Sequence, residues 1–504
     1  MLDEPRRNAR PSRMRFALPR PLFAAAAALS LLSCGPGGEE AVDIVVIGDS
    51  APTFTDPATG RLTVPTEVLL SNAAQGLVRF DAHGQIEPGL AERWNVSDDG
   101  LSYIFRIAAI DWPDGRAVNA RDVARILNRQ LRSSSRNTLK DSLGAVSEIV
   151  AMTDRVLEVR LRAPRPNLLQ LLAQPAFAIV REGQGSGPFH KDPKQDAPGA
   201  IALTRTIRIV DDKDRVEHLH LRNAEAGRAI GLFRNGKTTL VLGGTFVELP
   251  LVDRQARTMR NALRFDPVAG LFGLVPARSG GPLADRQLRD LLNRAIDRDA
   301  LVAALGVPNL VPRNTLLQAG LEGGVSTIAP GWAMQPLAER RAAVIADARA
   351  ALGSEEPTKL AIALPEGPGA DILLARLAAD WRPLGIELVR AGDGVAADLK
   401  LVDEVAPSTS PAWFVRNFRC GLVPLCSEDA DSAMDSARDA VIAAQRAALL
   451  AEAGRLIDEN VLFLPIAAPV RWSLVGDGLP GFSENIFARH PLSGLRNKPS
   501  RERQ

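Results

Sequence analysis

The stretch 76–127 constrains this chain most, because its spacing fixes a strand, a hairpin and a helix in that order. Val78 and Phe80 alternate up to Asp81-Ala82-His83-Gly84, a cluster of turn formers that ends the strand. Glu87 to Trp94 restarts the chain before Asn95-Val96-Ser97. Asp98-Asp99-Gly100 is then a tight turn, whose Gly supplies the positive φ that a hairpin needs. Leu101, Tyr103, Phe105 and Ile107 alternate behind it as a half-buried strand. Trp112-Pro113-Asp114-Gly115 turns the chain again, and Asn119 caps a helix carrying Val123, Ile126 and Leu127 on one face.

The ends and the composition set the compartment. Arg6, Arg7, Arg10, Arg13, Arg15 and Arg20 precede an apolar run from Pro21 to Leu32. That run is too short to span a bilayer and suits a signal-peptide core. Leu31-Leu32-Ser33-Cys34-Gly35 resembles a lipobox, which makes residues 1–33 a lipoprotein signal peptide and Cys34 the acylated first mature residue. The alternative is a plain small-residue cleavage site with a chance Cys, and Met14 offers a second translation start. Cleavage removes six Arg and two acids, leaving 55 Lys+Arg against 57 Asp+Glu where the whole chain carries +2. A nearly neutral protein of this kind gives no argument for nucleic acid or a polybasic membrane patch. No second apolar segment has spanning length, and about 470 mature residues require two or three lobes rather than one core. From Asp43 onward strands and helices alternate, which points to an α/β architecture. Helical spacing runs over 287–305, 337–352, 371–383 and 439–458, with facing strands at 359–364, 385–390 and 398–402.

Several passages together resemble one family. Gly76-Leu77-Val78, Pro88 to Trp94, Ser97 to Phe105 and Asp114 to Val123 are similar to its "E-G-L-V", "P-A-L-A-E-S-W", "S-D-D-G-L-x-Y-x-F" and "D-G-x-P-V-T-A-x-D-V" segments. Pro52 to Pro57, Gly185 to Phe189, Pro282 to Leu288, Leu292 to Arg298 and Leu301-Val302 continue the likeness. On these motifs the chain resembles the solute-binding proteins of ABC importers, of the oligopeptide-, dipeptide- and nickel-binding type (family 5). The resemblance implies a periplasmic-binding-protein-like α/β fold, with two lobes on a type II hinge and an inserted extra domain in the N-terminal half. It divides the chain into a tether at 34–41, lobe I at 42–64 and 166–265, the inserted domain at 65–165, lobe II at 266–468 and a lobe I return at 469–504. The implied partners are a small-molecule or short-peptide ligand and a membrane permease with its cytoplasmic ATPase, the protein acting as a monomer on a lipid anchor in the periplasm. No cofactor, metal or enzymatic activity is implied.

Other motifs do not survive their context. Gly231 to Thr238 fits the nucleotide P-loop expression, but a P-loop follows a strand and opens a helix. Here Ala224 to Phe233 reads as the helix, Gly236 ends it, and Thr239 to Leu242 reads as the strand. His218 and His220 share a strand face, which is a polar face more simply than half a metal site. Asp211-Asp212-Lys213-Asp214 is a solvated hairpin turn. Cys420 and Cys426 can close a small loop outside the cytoplasm, or remain two buried thiols.

The ligand residues that the resemblance implies are Phe54, Asp403, Glu404, Val405 and Trp413. Peptide binders of the family carry "G-W-x-A-D-Y", whose Asp pairs with the peptide amino terminus; here Asp403 to Ser408 lies over it and Pro407 replaces that Asp. Two other departures fall at Ala277 and at Pro465-Ile466-Ala467-Ala468, and the chain has a single Tyr. Ordinary peptides are therefore expected to bind weakly through a free amino terminus unless Asp403 or Glu404 substitutes. A scaffold or sensor that kept the fold and lost its cargo is the alternative. For Cys34 the test is direct. Acyl chains contribute about 0.8 kcal/mol per buried CH₂, so Cys34→Ala is expected to move the protein into the soluble fraction, and unchanged membrane partitioning would refute the anchor.

Overall fold

The structure is a computed structural model that describes residues 41–195, 199–209, 214–325, 327–352, 356–392, 394–477 and 479–495. The expected signal peptide, Cys34, nearly all of the tether and Asp211 to Lys213 of the expected turn lie outside the described residues. Ten elements position the site. They are strands β1 (Val42–Ile47), β2 (Leu240–Thr245), β3 (Leu263–Phe265), β4 (Gly270–Pro276), β5 (Leu399–Val405), β6 (Leu464–Ala467) and β7 (Arg471–Val475), and helices α1 (Val64–Ala73), α2 (Leu168–Leu172) and α3 (Pro411–Arg416).

A seven-stranded sheet forms the first lobe, ordered His190–Lys191, Ile201–Ile207, Arg215–Ala224, β1, β2, β7, β3. β1 pairs in parallel on both sides, so its run Val-Asp-Ile-Val-Val-Ile is covered on both faces. Ile44 and Val46 enter one core and Val45 and Ile47 the other. β7 runs antiparallel to β2 and β3, with Trp472 opposite Gly244 and Phe265. A Cβ on Gly244 would come within 2.3 Å of the Trp472 ring, so only glycine allows this pairing. The second lobe is a five-stranded sheet ordered Ile386–Arg390, Thr358–Ala363, β5, β4, β6.

The two sheets are joined by two neighbouring strand passages. β3 leads into β4 and β6 leads into β7, each pair of strands crossing from one sheet to the other beside its antiparallel partner. The Asp266 amide donates to the Arg471 carbonyl at 3.0 Å between the passages. One hydrophobic cluster is continuous behind them, from Val45 through Phe246, Phe272 and Trp472 to Leu360 and Leu399. This is the geometry of a hinge: a short covalent and apolar spine on one side, an opening on the other.

The third unit is a four-stranded antiparallel sheet, Ala91–Val96, Ser102–Ile107, Val156–Leu161, Val146–Ala151. The turn at 98–100 is closed by the Gly100 amide on the Ser97 carbonyl (2.8 Å), with Gly100 at φ +67°. Tyr103, Phe105 and Ile107 face the core. Asn119 caps helix Ala120–Gln130 by accepting from the Asp122 amide. Helix α1 buries Leu69 and Ala73 against β1 rather than the four-stranded sheet, whereas α2 sends Leu168, Leu171 and Leu172 into the core of the four-stranded sheet.

Other elements split where a cap intervenes. The helical stretch 287–305 is two helices, Arg286–Ala295 and Arg298–Leu305, because the Asp297 side chain accepts from the Ala300 amide and starts the second. The stretch 439–458 spans the end of Glu428–Asp439 and helix Ala443–Glu459. Ala226–Arg234 precedes β2, so the order at 231–238 is helix then strand, and a nucleotide loop is excluded. His218 and His220 lie on Arg215–Ala224, His220 Nδ1 sits 3.4 Å from Asp43, and no metal cluster occurs among the described residues.

Asp458, near the end of Ala443–Glu459, accepts from the Leu316 amide at 2.9 Å. Burial pushes its carboxyl up to about 7, against the pull of that hydrogen bond. The folded state therefore holds a proton that the unfolded chain releases above 3.8, so stability falls as pH rises from about 4 to about 7. At about 1.4 kcal/mol per unit the effect is at most about 4 kcal/mol. Asp458→Asn keeps the acceptor and is expected to flatten that slope in denaturant titrations; parallel pH profiles for both proteins would refute the assignment.

Candidate functional site

A cavity of about 450 Å³ opens between the lobes. The first lobe contributes Arg61 ahead of α1, Val64 and Glu67 from its start, Leu242 to Thr245 at the end of β2, Arg471 to Ser473 on β7, and Phe487 to His490. Glu404 to Pro407 at the end of β5, with Trp413 and Asn417 around α3, form the facing wall. Gln174 and Pro175, just past α2, close one end. Gly270 lets β4 approach: a Cβ there would lie 2.0 Å from the Glu404 carbonyl.

The cavity's charges are mostly spent on one another. Arg471 Nη1 donates to both Asp403 carboxylate oxygens, at 2.8 and 3.1 Å, and its Nη2 to the Asp403 carbonyl at 3.1 Å. This pair bridges β7 of one sheet and β5 of the other. Burial pushes the Asp403 carboxyl up while Arg471 pulls it down. Arg489 donates to Glu67 at 2.6 Å and to Gln174 at 3.2 Å. Asp266 holds the Asn485 amide at 2.9 Å and lies 3.2 Å from His490 Nε2. Glu404 faces the cavity with no hydrogen bond or ion pair among the described residues, and burial, then the Asp403 charge, raise its carboxyl.

Glu404, Val405 and Trp413 thus line the cavity. Asp403 does not present its carboxylate to a ligand, because Arg471 occupies both oxygens. Phe54 is not a wall residue. The Thr53 amide donates to Thr66 Oγ1 and holds this segment on α1, so the Phe54 ring packs against the first-lobe clusters instead. Pro407 lines the cavity and brings no acid to it. Neither Ala277 nor Ala467 reaches it: Ala277 pairs with the Asp398 carbonyl beyond β4, and Ala467 lies opposite Phe272 in the sheet. Sequence reasoning missed Arg61, Glu67, Gln174, Trp472 and Arg489, whose convergence comes from segments hundreds of residues apart. Cys420 and Cys426 are joined as a disulfide, Cα–Cα 5.1 Å, just past α3. A larger cavity of about 850 Å³ lies within the second lobe against helix Ala443–Glu459, away from the lobe boundary.

One end of the cleft is latched by the protein itself. Asn167, Gln170 and Gln174 flank and occupy α2 at near-helical spacing. Asn167 donates to Ser408 Oγ at 3.1 Å and Gln174 to the Pro407 carbonyl at 2.8 Å, while Gln170 accepts from the Thr409 amide at 2.9 Å. Net values of about 0.5–1.5 kcal/mol per bond make three of them comparable to a lobe-closure equilibrium. Gln170→Ala with Gln174→Ala is expected to enlarge the radius of gyration of the solute-free protein in small-angle X-ray scattering. An unchanged radius would show that other contacts hold this end.

Three kinds of comparison converge on this geometry. The family model for bacterial extracellular solute-binding proteins, family 5 (middle), matches residues 85–390. The dipeptide-binding protein DppE of Bacillus subtilis is 31% identical over 28% of each chain. The probable di/tripeptide-binding protein 5 of Pseudomonas aeruginosa is 24% identical over 96% of this chain and 98% of its own. Among solved structures, Haemophilus influenzae OppA in complex with RPPGFSPFR superposes with a TM-score of 0.76 at 17% identity, covering 91% of this chain and 99% of that one. The Escherichia coli murein tripeptide binding protein MppA gives 0.75 at 17% identity, covering 90% and 97%. These are binding proteins rather than enzymes, and the two structures share the two-lobed fold described above.

Proposed function

Because the chain belongs to the bacterial extracellular solute-binding proteins of family 5, we propose that it captures a small solute between its lobes and delivers it to the permease of an ABC importer. It does so as a monomer held at the membrane by a lipid on Cys34, with a cytoplasmic ATPase driving transport. The observation that carries the reading is the cavity itself, walled by both lobes and set beside a two-strand hinge. A solute there contacts both walls only when they are close, so binding favours closure. Relatives named for dipeptides, di/tripeptides and a murein tripeptide support short peptides as candidate solutes. The cavity volume of about 450 Å³ suits such a size.

The scaffold or sensor reading has one specific support, the latch at Pro407 to Thr409, which closes part of the cleft without a solute. Small-molecule mass spectrometry of the denatured protein separates the two. Solute capture predicts one chemical class of co-purified compound, and its re-addition at a hundredfold excess over Kd stabilises the apo protein by about 2.7 kcal/mol. No co-purified compound, and no thermal stabilisation by di- to pentapeptides up to millimolar concentration, would support the scaffold instead.

A further inference from the structure

We propose that the second-lobe cavity is a further binding site and that it takes a hydrophobic amine, with the ammonium group at Asp458 and the apolar body along helix Ala443–Glu459. The site is separate from the interlobe cavity and does not depend on solute capture there. Its volume of about 850 Å³ lies between helices Ala443–Glu459 and Arg286–Ala295 and is within the range of small-molecule sites. Ala444, Ala447, Ala451 and Gly454 recur at helical spacing along one wall, and Leu317 and Trp332 line the same space. Contacts within the protein hold both flanks. A Cβ on Gly454 would lie 2.6 Å from Leu317 Cδ1, so glycine lets the segment 316–317 close on the helix. Trp332, in the turn Gly331–Met334, carries the guanidinium groups of Arg298 and Arg340 over its ring, 5.4 and 5.5 Å from the centroid.

The charges of the walls select a cation. Four acids line the cavity, Asp290, Glu452, Asp458 and Glu459, against two bases, Arg286 and Arg455. Arg455 is spent on Glu452, 2.7 Å from its Nε, and on Glu459. Arg286 donates to the Glu459 carbonyl at 2.7 Å, and Asp290 lies 3.3 Å from Arg294. Asp458 differs from the other three acids. Its Oδ1 accepts from the Leu316 amide, its Oδ2 has no partner among the described residues, and the neighbouring charge that acts on it is that of Glu459, which has the same sign. A carboxylate so placed is costly until a cation arrives, which is why burial carries its titration to about 7. An ammonium supplies both the missing charge and N–H donors for Oδ2, while its hydrocarbon covers the alanine stripe. An anionic amphiphile would meet a surplus of acids, and a neutral one would leave Asp458 without a counter-charge.

The test is calorimetry on the full chain with three probes that share one alkyl chain, octylammonium, octanol and octanoate, each titrated into the millimolar range at neutral pH. Octylammonium is expected to bind about ten- to a hundredfold tighter than octanol, the value of one charge-assisted contact, and octanoate weakest of the three. Because Asp458 must ionise to receive the cation, binding near pH 7 should release a proton, so that the measured heat follows the ionisation heat of the buffer. Asp458→Asn keeps the acceptor for the Leu316 amide; it should bring octylammonium to the level of octanol and end the proton release. Ala451→Leu, which narrows the apolar wall, should weaken both probes. Glu404→Gln, in the other cavity, reports where the amine sits: an unchanged preference for octylammonium supports the second-lobe site, and loss of that preference puts the amine between the lobes and overturns the proposal. Octylammonium failing to bind, octanol or octanoate binding as tightly, or a preference that survives Asp458→Asn would overturn it as well, and each of these results leaves solute capture between the lobes standing.

Discussion

The ion pair between Arg471 and Asp403 is the interaction on which the cleft depends. Arg471 sits on β7 just after the second hinge passage, and its guanidinium reaches the carboxylate and the main-chain oxygen of a residue in the other sheet. Both side chains are largely buried, at 18% and 15% exposure. Two charges withdrawn from water this far are tolerated because the geometry is multidentate, and losing one partner costs about 3–5 kcal/mol. The pair fixes the approach of the two sheets at the hinge. It also removes one acid and one base from the chemistry of the cavity.

That removal explains why the cavity has so simple a net demand. Eight titratable groups line or back its walls, and three internal pairings engage six of them. A closed, self-paired wall is rigid and poorly selective for charge, except where a group is left over. The neighbouring latch acts in the same direction. Segment 407–409, beside the bound strand end, spends its polar groups on α2 and not on a ligand. On the same wall Glu404, Val405 and Trp413 remain turned to the cavity.

The legible parts of the fold were those written locally. The Asp98-Asp99-Gly100 turn, the alternation through Ile107 and the Asn119 cap each depend on residues a few positions apart, and all three form as spacing requires. Glu404, Val405 and Trp413 reach the cavity because they flank one strand end whose motif could be aligned. What spacing could not show were the long-range pairings. Nothing near Asp403 in sequence reveals that Arg471, 68 residues on, occupies its carboxylate. Phe54 is an aromatic at the right place in the order of elements, but an apolar ring beside α1 gains more from burial in the first lobe than from facing a wet cleft.

The decisive measurement is a crystal structure of the protein purified from its own cells, without refolding. Solute capture predicts closed lobes and density for a small molecule in the interlobe cavity, in contact with both walls. An empty interlobe cavity with the lobes closed on the α2 latch, or a bound molecule confined to the second-lobe cavity beside helix Ala443–Glu459, would contradict it.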